Sequence, residues 1–173
     1  MRYVKETAPF VWVILFGVVI FLLDLFEFSN ESARKGILVS IVLFKSGYFI
    51  WLLITRLKRT AGQNFHFDQF ARFIALSVLL AVGSFAMDYY CLFRIDESTF
   101  RGVSPEVSVG SELLTYFYFS VSTFTTAGLG DITPVGKVAQ SLVALQLSIG
   151  WLTTVLVIGN VVHLRESLTK PDR

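Results

Sequence analysis

The chain has 173 residues, of which 54% are hydrophobic and only 16% are charged, and its formal net charge is +2. Soluble domains carry about 25% charged residues, so this composition argues against a water-soluble globule. The small net charge, without a long basic run, argues against nucleic acid as a partner. The apolar residues fall into four long blocks, which we interpret as membrane spans. The sequence therefore predicts an all-α integral membrane protein with four transmembrane helices in a lipid bilayer.

The four predicted spans cover residues 9–26, 36–57, 70–93 and 135–164. The first two each have close to the ~20 residues that a helix needs to cross a bilayer. The first block also has the basic start of a signal peptide, but no small-residue cleavage site follows it.

Phenylalanines beside basic residues at 56–72 predict an interfacial helix. We expect three units: two N-terminal spans in residues 1–58, an interfacial linker in 59–69, and a domain of 70–173 built around the last two spans.

Lysine and arginine are unevenly distributed between the two sides of the predicted spans. More of them lie on the side of both chain ends, and cytoplasmic flanks are enriched in these residues. We therefore expect a multi-pass protein of the cell membrane with both termini in the cytoplasm. In this topology the loop after the third span is external and acidic, so it would attract cations.

The segment between the third and fourth spans reads SELLTYFYFSVSTFTTAGLGDITP over residues 111–134. We expect Ser111 to cap a helix that ends at Phe124, which is too short to cross a bilayer and is therefore re-entrant. Non-helical backbone survives at membrane depth only where it is buried in protein or lines a wet cavity. Residues 126–131 are thus predicted to line a pore. Gly128 and Gly130 alternate with larger residues, which is typical of backbone in which every second residue adopts angles that favour glycine.

Here the chain resembles the potassium-channel superfamily, whose filter reads Thr-Thr-Val-Gly-Tyr-Gly-Asp after a short pore helix. The corresponding residues are Thr125, Thr126, Ala127, Gly128, Leu129, Gly130 and Asp131, which we call the filter segment. The resemblance covers residues 70–164. It implies that the carbonyls of residues 126–129 and the Thr126 hydroxyl bind dehydrated K+, that Gly130 completes the filter, and that Asp131 lies at the outer mouth. No cofactor other than K+ is expected.

The filter segment and its surroundings depart from the family pattern. Leu129 stands where Tyr or Phe is usual, and Tyr118 and Phe119 stand at the usual paired Trp positions, so a more apolar surround is expected. Some bacterial members have a Glu at the position of Ser122 that pairs with the filter Asp, so we expect Asp131 to be held less firmly. The residues expected to support the filter are Tyr118, Phe119, Ser122 and Thr125.

Three residues of the fourth span are candidates for further roles. Gly150 lies where the family has an inner-helix hinge, but glycine in membrane helices also permits close packing, and both interpretations stay open. Thr154 and Asn160 are candidates for the inner pore lining. For Thr154, bonding back to its own helix is the common alternative.

Lys45 is predicted near the middle of the membrane, where an unpaired charge is costly. Asp24 and Asp88 are its candidate partners, although Asp24 could simply mark the outer end of the first span. We expect a structural ion pair rather than a gating role. Because no span has basic residues at every third position, classical voltage gating is not expected.

One pore loop per chain supplies a quarter of a carbonyl cage, so the resemblance implies a homotetramer in which each chain meets three identical subunits. Enzyme motifs such as a nucleophile elbow or a phosphate-binding loop are missing from the sequence. We therefore expect a passive potassium-selective channel. The alternatives are a weakly selective monovalent cation channel and a non-conducting membrane scaffold or accessory subunit.

Overall fold

The computed structural model of the chain describes residues 30–60, 67–104 and 108–169. This part contains four α-helices: α1 (Glu31–Thr60), α2 (Phe67–Ile95), α3 (Val109–Phe124) and α4 (Lys137–Thr169). Within it, α1, α2 and α4 are long and apolar enough to cross a membrane, over Glu31–Thr55, Ala71–Ile95 and Lys137–Gly159. The predicted first span, residues 9–26, and the candidate partner Asp24 lie outside the described residues.

The helices α1 and α2 extend beyond the predicted second and third spans at both ends. Residues 56–60 therefore continue α1, and the residues from Phe67 already belong to α2. The two ends of the expected interfacial helix over 56–72 are thus parts of the long helices. Its middle, residues 61–66, lies outside the described part.

Two short strands tie the loop after α2 to the residues that follow the filter segment. After α2, Asp96 caps a 3-10 turn at Glu97–Thr99 by accepting a hydrogen bond from the backbone N–H of Ser98. Strand β1 (Phe100–Arg101) then pairs antiparallel with β2 (Thr133–Pro134). The purely α-helical prediction missed this pairing, because two-residue strands leave no alternating pattern to detect.

The predicted start of the fourth span at residue 135 is wrong, because α4 begins at Lys137. The backbone N–H of Val135 donates to the carbonyl of Thr99 at 2.9 Å, so this residue belongs to the strand connection.

The core lies between α2, α3 and β1 and is rich in aromatic side chains. Rings contact one another at centroid distances of 5.1 Å for Tyr89 with Phe119 and 5.6 Å for Phe100 with both Tyr116 and Phe119. The helix α1 packs against both α2 and α4. The buried residues of α4 recur every three or four positions: Ala139, Leu142, Gln146, Ile149 and Thr153. This period turns one face of α4 toward the core.

Candidate functional site

The short helix α3 precedes the filter segment and begins earlier than predicted. Its N-cap is Ser108, whose backbone is extended at φ −120° and ψ 125°, and not Ser111. The backbone N–H groups of Ser111 and Glu112 both donate to the Ser108 carbonyl at 3.1 Å, which places Ser111 inside the first turn. With 16 residues, α3 is about 24 Å long at 1.5 Å per residue. It remains shorter than the ~30 Å hydrocarbon core of a bilayer.

The backbone of the filter segment alternates between two conformations. Thr126, Gly128 and Gly130 have positive φ angles of 59°, 55° and 81°, whereas Ala127 and Leu129 between them do not. The glycine spacing predicted this alternation at two positions, and the structure adds Thr126. A left-handed conformation costs a non-glycine residue about 1–2 kcal/mol, so the surrounding contacts must hold Thr126 in place.

Those contacts come from the end of α3. The backbone N–H of Thr126 donates to the Thr123 carbonyl at 3.0 Å, and that of Ala127 donates to the Ser122 carbonyl at 2.9 Å. The Thr125 hydroxyl donates to the Val121 carbonyl at 2.8 Å. Two predicted support residues thus make contacts at this junction. Ser122 contacts the start of the filter segment through its backbone carbonyl, and Thr125 contacts the last turn of α3.

The side of the filter segment away from α3 is uncovered within one chain. Residues 125–131 are all exposed, and the side chain of Leu129 is 63% exposed. The Thr126 hydroxyl donates to the Thr125 carbonyl at 2.6 Å, which leaves its oxygen lone pairs free to accept. The segment therefore presents exposed carbonyl and hydroxyl oxygens.

Asp131 has a hydrogen-bond partner that the sequence analysis did not assign. The Tyr118 hydroxyl donates to Asp131 Oδ2 at 2.6 Å, and the Ile132 backbone N–H donates to Oδ1 at 3.0 Å. The Tyr118 hydrogen bond is the main reason that the pKa of Asp131 lies below its ordinary value. The same bond raises the pKa of Tyr118. The surroundings of Asp131 are therefore not purely apolar. Tyr118 donates a hydrogen bond to Asp131, although Ser122 stands at the position that is a Glu in some bacterial members of the family that the sequence resembles.

The loop after α2 also approaches the filter segment. Gly102 has φ 87°, and a Cβ built on it would lie 1.9 Å from the backbone oxygen of Asp131. Only glycine fits this contact.

The predicted support residue Phe119 of α3 is buried against Tyr89 and Phe100.

The candidate residues of α4 lie in different surroundings. Gly150 is buried, and a Cβ on it would lie 2.6 Å from the backbone oxygen of Phe124, so it permits close packing of α4 on the end of α3. Thr154 is exposed and its hydroxyl donates to the Gly150 carbonyl at 3.0 Å, as threonine in helices often does. Asn160 lies in α4, but its side chain is outside the described residues.

Lys45 of α1 forms an ion pair with Asp88 of α2. The two side chains are only 4% and 0% exposed. Lys45 Nζ also donates to the Ser84 hydroxyl at 2.7 Å and lies 5.5 Å from the centre of the Phe85 ring. Of the two candidate partners of Lys45, Asp88 is the one that lies in the described part of the chain, and it contacts Lys45 there.

A second lysine of α1 forms an ion pair near the membrane edge. Lys35 Nζ lies 2.6 Å from Asp96 Oδ2 and 2.7 Å from Glu31 Oε1. The hydrogen bond from Lys35 is the main reason that the pKa of Asp96 is lowered. The pair ties the start of α1 to the 3-10 turn after α2.

Sequence reasoning missed Gln146, whose side chain is fully buried on α4 and contacts both α2 and α3. The signal that could have found it is an uncharged amide in an apolar span, because a buried amide needs hydrogen-bond partners.

A family model described as "Ion channel" matches residues 73–166. The matched region includes α3 and the filter segment together with most of α2 and α4, and it covers more than half of the chain. No curated protein and no solved structure matches the chain.

Proposed function

The chain belongs to the ion-channel family, and on this premise we propose that four copies of it form a potassium-selective channel that conducts K+ passively through the cell membrane. The observation that carries the proposal is the alternating backbone of the filter segment, with positive φ at Thr126, Gly128 and Gly130. This alternation turns successive carbonyl groups toward one side. A run of such carbonyls can replace the hydration shell of a cation.

In this proposal each residue of the filter segment has a defined part. The carbonyls of residues 126–129 and the Thr126 hydroxyl bind the dehydrated ion, Gly130 completes the filter, and Asp131 lies at the outer mouth. The side chains of Ala127 and Leu129 change the packing behind the carbonyls but not the number of carbonyls. The helix α3 ends at Phe124, directly before the segment, and its C-terminal end carries about half a negative elementary charge that favours a cation.

The exposure of the filter segment in a single chain supports a tetramer. One chain supplies a quarter of a carbonyl cage, and its residues 125–131 are exposed. Backbone carbonyls left without partners in lipid cost several kcal/mol each. Three identical subunits around the axis would enclose the segment, with Thr154 and Asn160 toward the inner vestibule and both termini in the cytoplasm.

The described spans support a channel without a classical voltage sensor. A sensor requires several basic residues in one span, whereas Lys45 lies alone in the middle of α1 and is neutralised by Asp88. The first two spans therefore have a structural part in this proposal.

The test measures the reversal potential of the purified protein in liposomes under asymmetric K+ and Na+. We expect clear K+ preference. Gly128→Ala should abolish conduction, because φ 55° at this residue penalises a Cβ by about 1–2 kcal/mol in each subunit. Leu129→Tyr should retain K+ preference.

Gly83→Ala in α2 is the matched control, because an added Cβ there meets no atom within 4 Å, and it should conduct like the unmodified protein. Equal permeability to Na+ and K+ would favour the weakly selective channel. Absence of flux through correctly assembled protein would favour the non-conducting scaffold.

A further inference from the structure

A buried chain of hydrogen bonds joins α2, α4 and α3 behind the filter segment. The Tyr89 hydroxyl donates to Gln146 Oε1 at 2.6 Å. Gln146 Nε2 donates to the Ser120 hydroxyl at 2.7 Å and to the Ser120 carbonyl at 3.1 Å. The Ser120 hydroxyl donates to the Val82 carbonyl at 2.7 Å. Tyr89, Ser120 and Gln146 are all fully buried.

The direction of every bond in this chain is determined by its chemistry. A backbone carbonyl can only accept, so the amide nitrogen of Gln146 must face Ser120 and the amide oxygen must face Tyr89. Tyr89 must then donate. Ser120 gives its one hydroxyl proton to Val82 and accepts from Gln146. Because each donor and acceptor has one partner that fits, the chain has one arrangement, and buried networks of this kind specify a unique packing.

The helix α4 contacts the end of α3 on two successive turns. Gln146 and Gly150 are one turn apart on α4, and their partners Ser120 and Phe124 are one turn apart on α3. Ser122, between these partners, offers the carbonyl that accepts from Ala127 N–H at 2.9 Å. The rotation and depth of α3 therefore decide where the filter segment begins.

We propose that Gln146 is a positioning residue for the filter segment, a role that rests on the proposed function. Apolar contacts alone allow a helix to slide or rotate by small amounts, whereas the hydrogen bonds of Gln146 are directional. They hold α3 against α2 and α4 in one orientation, and the filter segment moves with α3 because the backbone N–H of Ala127 donates to the Ser122 carbonyl at the end of that helix. Without them the filter segment leaves its K+-binding form more readily, although the helices remain packed.

The experiment measures how K+ raises the melting temperature of the purified assembly, in titrations of K+ against Na+ at constant ionic strength. A ligand that binds only the native state stabilises it by RT ln(1 + [L]/Kd). Fitting this relation to the melting temperatures gives an apparent Kd for K+, which we call the midpoint, and it reports the K+-binding form. We expect Gln146→Met to raise the midpoint about fivefold or more, because the variant loses the directional hydrogen bonds that hold α3.

The triple variant Tyr89→Phe/Ser120→Ala/Gln146→Met separates positioning from general stability. It removes all three polar side chains and so leaves none of the side-chain groups of this network without a partner, and its melting temperature in Na+ should recover toward that of the unmodified protein. If Gln146 positions the filter segment, the K+ midpoint stays raised in the triple variant. If Gln146 only stabilises the fold, the midpoint returns with the melting temperature, and the proposal is overturned.

Gln140→Met is the matched control, because Gln140 lies on the same helix but is exposed, and its midpoint should be unchanged. Should Gln146→Met fail to fold, Tyr89→Phe removes one bond of the chain, and an unchanged midpoint in that variant overturns the positioning role. An unmodified protein without any K+-specific shift would overturn the proposed function as well. A K+-specific shift whose midpoint is unchanged in all the network variants would overturn the positioning role alone.

Discussion

At the scale of single residues, glycines in this chain are required for two different reasons. Gly128 is required by its φ of 55°, since no atom lies within 4 Å of an added Cβ. Gly150 is required by space, since an added Cβ would lie 2.6 Å from the Phe124 carbonyl oxygen. The first constraint concerns the conformation of the filter segment, and the second concerns the packing of α4 on α3.

Gly150→Ala should destabilise the protein by about 1–3 kcal/mol, the usual cost of forcing an extra methyl group into a packed site. Thermal unfolding in detergent measures this loss, which we expect in K+ and in Na+ alike. Gly47→Ala in α1 is the control, because its Cβ meets nothing within 4 Å, and it should be neutral or stabilising by up to ~1 kcal/mol. Equal melting temperatures for both variants would contradict the close contact.

The hydrogen bond from Tyr118 to Asp131 predicts a pH effect on conduction if Asp131 lies at the outer mouth, as we propose. Because the pKa of Asp131 in the folded protein is lowered from 3.8, the bond to its carboxylate is present above that value and is lost as external pH falls through the lowered pKa. Tyr118→Phe removes the main cause of the shift, so the pKa of Asp131 should rise. The acid midpoint of K+ flux should then move to higher pH.

External pH titration of flux in liposomes measures this midpoint. Tyr48→Phe, which removes a hydroxyl from a tyrosine of α1 far along the chain from Asp131, is the control and should leave the midpoint in place. Identical titrations of Tyr118→Phe and the unmodified protein would show that the bond does not control Asp131.

At the scale of elements, two ion pairs in the described part of the chain attach α1 to its neighbours, one to α2 and one to the 3-10 turn after α2. The pair of Lys45 with Asp88 is buried, whereas that of Lys35 with Asp96 is about one fifth exposed on each side. Breaking a buried pair by removing one partner leaves the other charge unpaired, which typically costs 3–5 kcal/mol, while replacing both by apolar residues is often neutral. The buried pair should therefore dominate the attachment of α1.

Lys45→Met should lower the free energy of unfolding by about 3–5 kcal/mol, because Asp88 is left buried without its partner. The double variant Lys45→Met/Asp88→Leu should recover most of that loss. Glu31→Gln, which breaks only an exposed pair one turn away from Lys35, is the control and should cost at most ~0.5 kcal/mol. A double variant as unstable as the single one would show that the loss comes from packing rather than from the unpaired charge.

At the scale of the whole molecule, the described part of one chain has both an exposed apolar helix face and an exposed filter segment. On the described part of α4, the helix next to the filter segment, the exposed large apolar side chains are Leu147, Trp151, Val155 and Ile158. Lipid can cover such a face, but it cannot satisfy the exposed backbone of the filter segment.

We therefore expect native mass spectrometry of the detergent-solubilised protein to give a particle of four 19.5 kDa chains. Chemical cross-linking should give a ladder that stops at four bands. A particle of one or two chains that still conducts K+ would contradict the fourfold arrangement.

The sequence by itself determined the helical membrane architecture and the place of the filter segment. Long apolar blocks predict α1, α2 and α4, because in a bilayer a helix is the structure in which a single segment satisfies its own backbone hydrogen bonds. Alternating glycines predict the positive φ angles at Gly128 and Gly130, because this preference is a property of the residue itself. The ends of helices were less predictable: Ser108 rather than Ser111 caps α3, and α4 begins at Lys137, because neighbouring segments compete for the same backbone groups.

Only the tertiary structure decided which distant side chains meet. Lys45 had two candidate partners in the sequence, and the packing of α1 on α2 brings Asp88 to it. Tyr118 is 13 residues from Asp131, and Gln146 is 26 residues from Ser120. Local patterns set the conformation of each segment, but such contacts depend on the rotation and depth of one helix against another. These are fixed by the packing of all the helices together, which no single stretch of sequence contains.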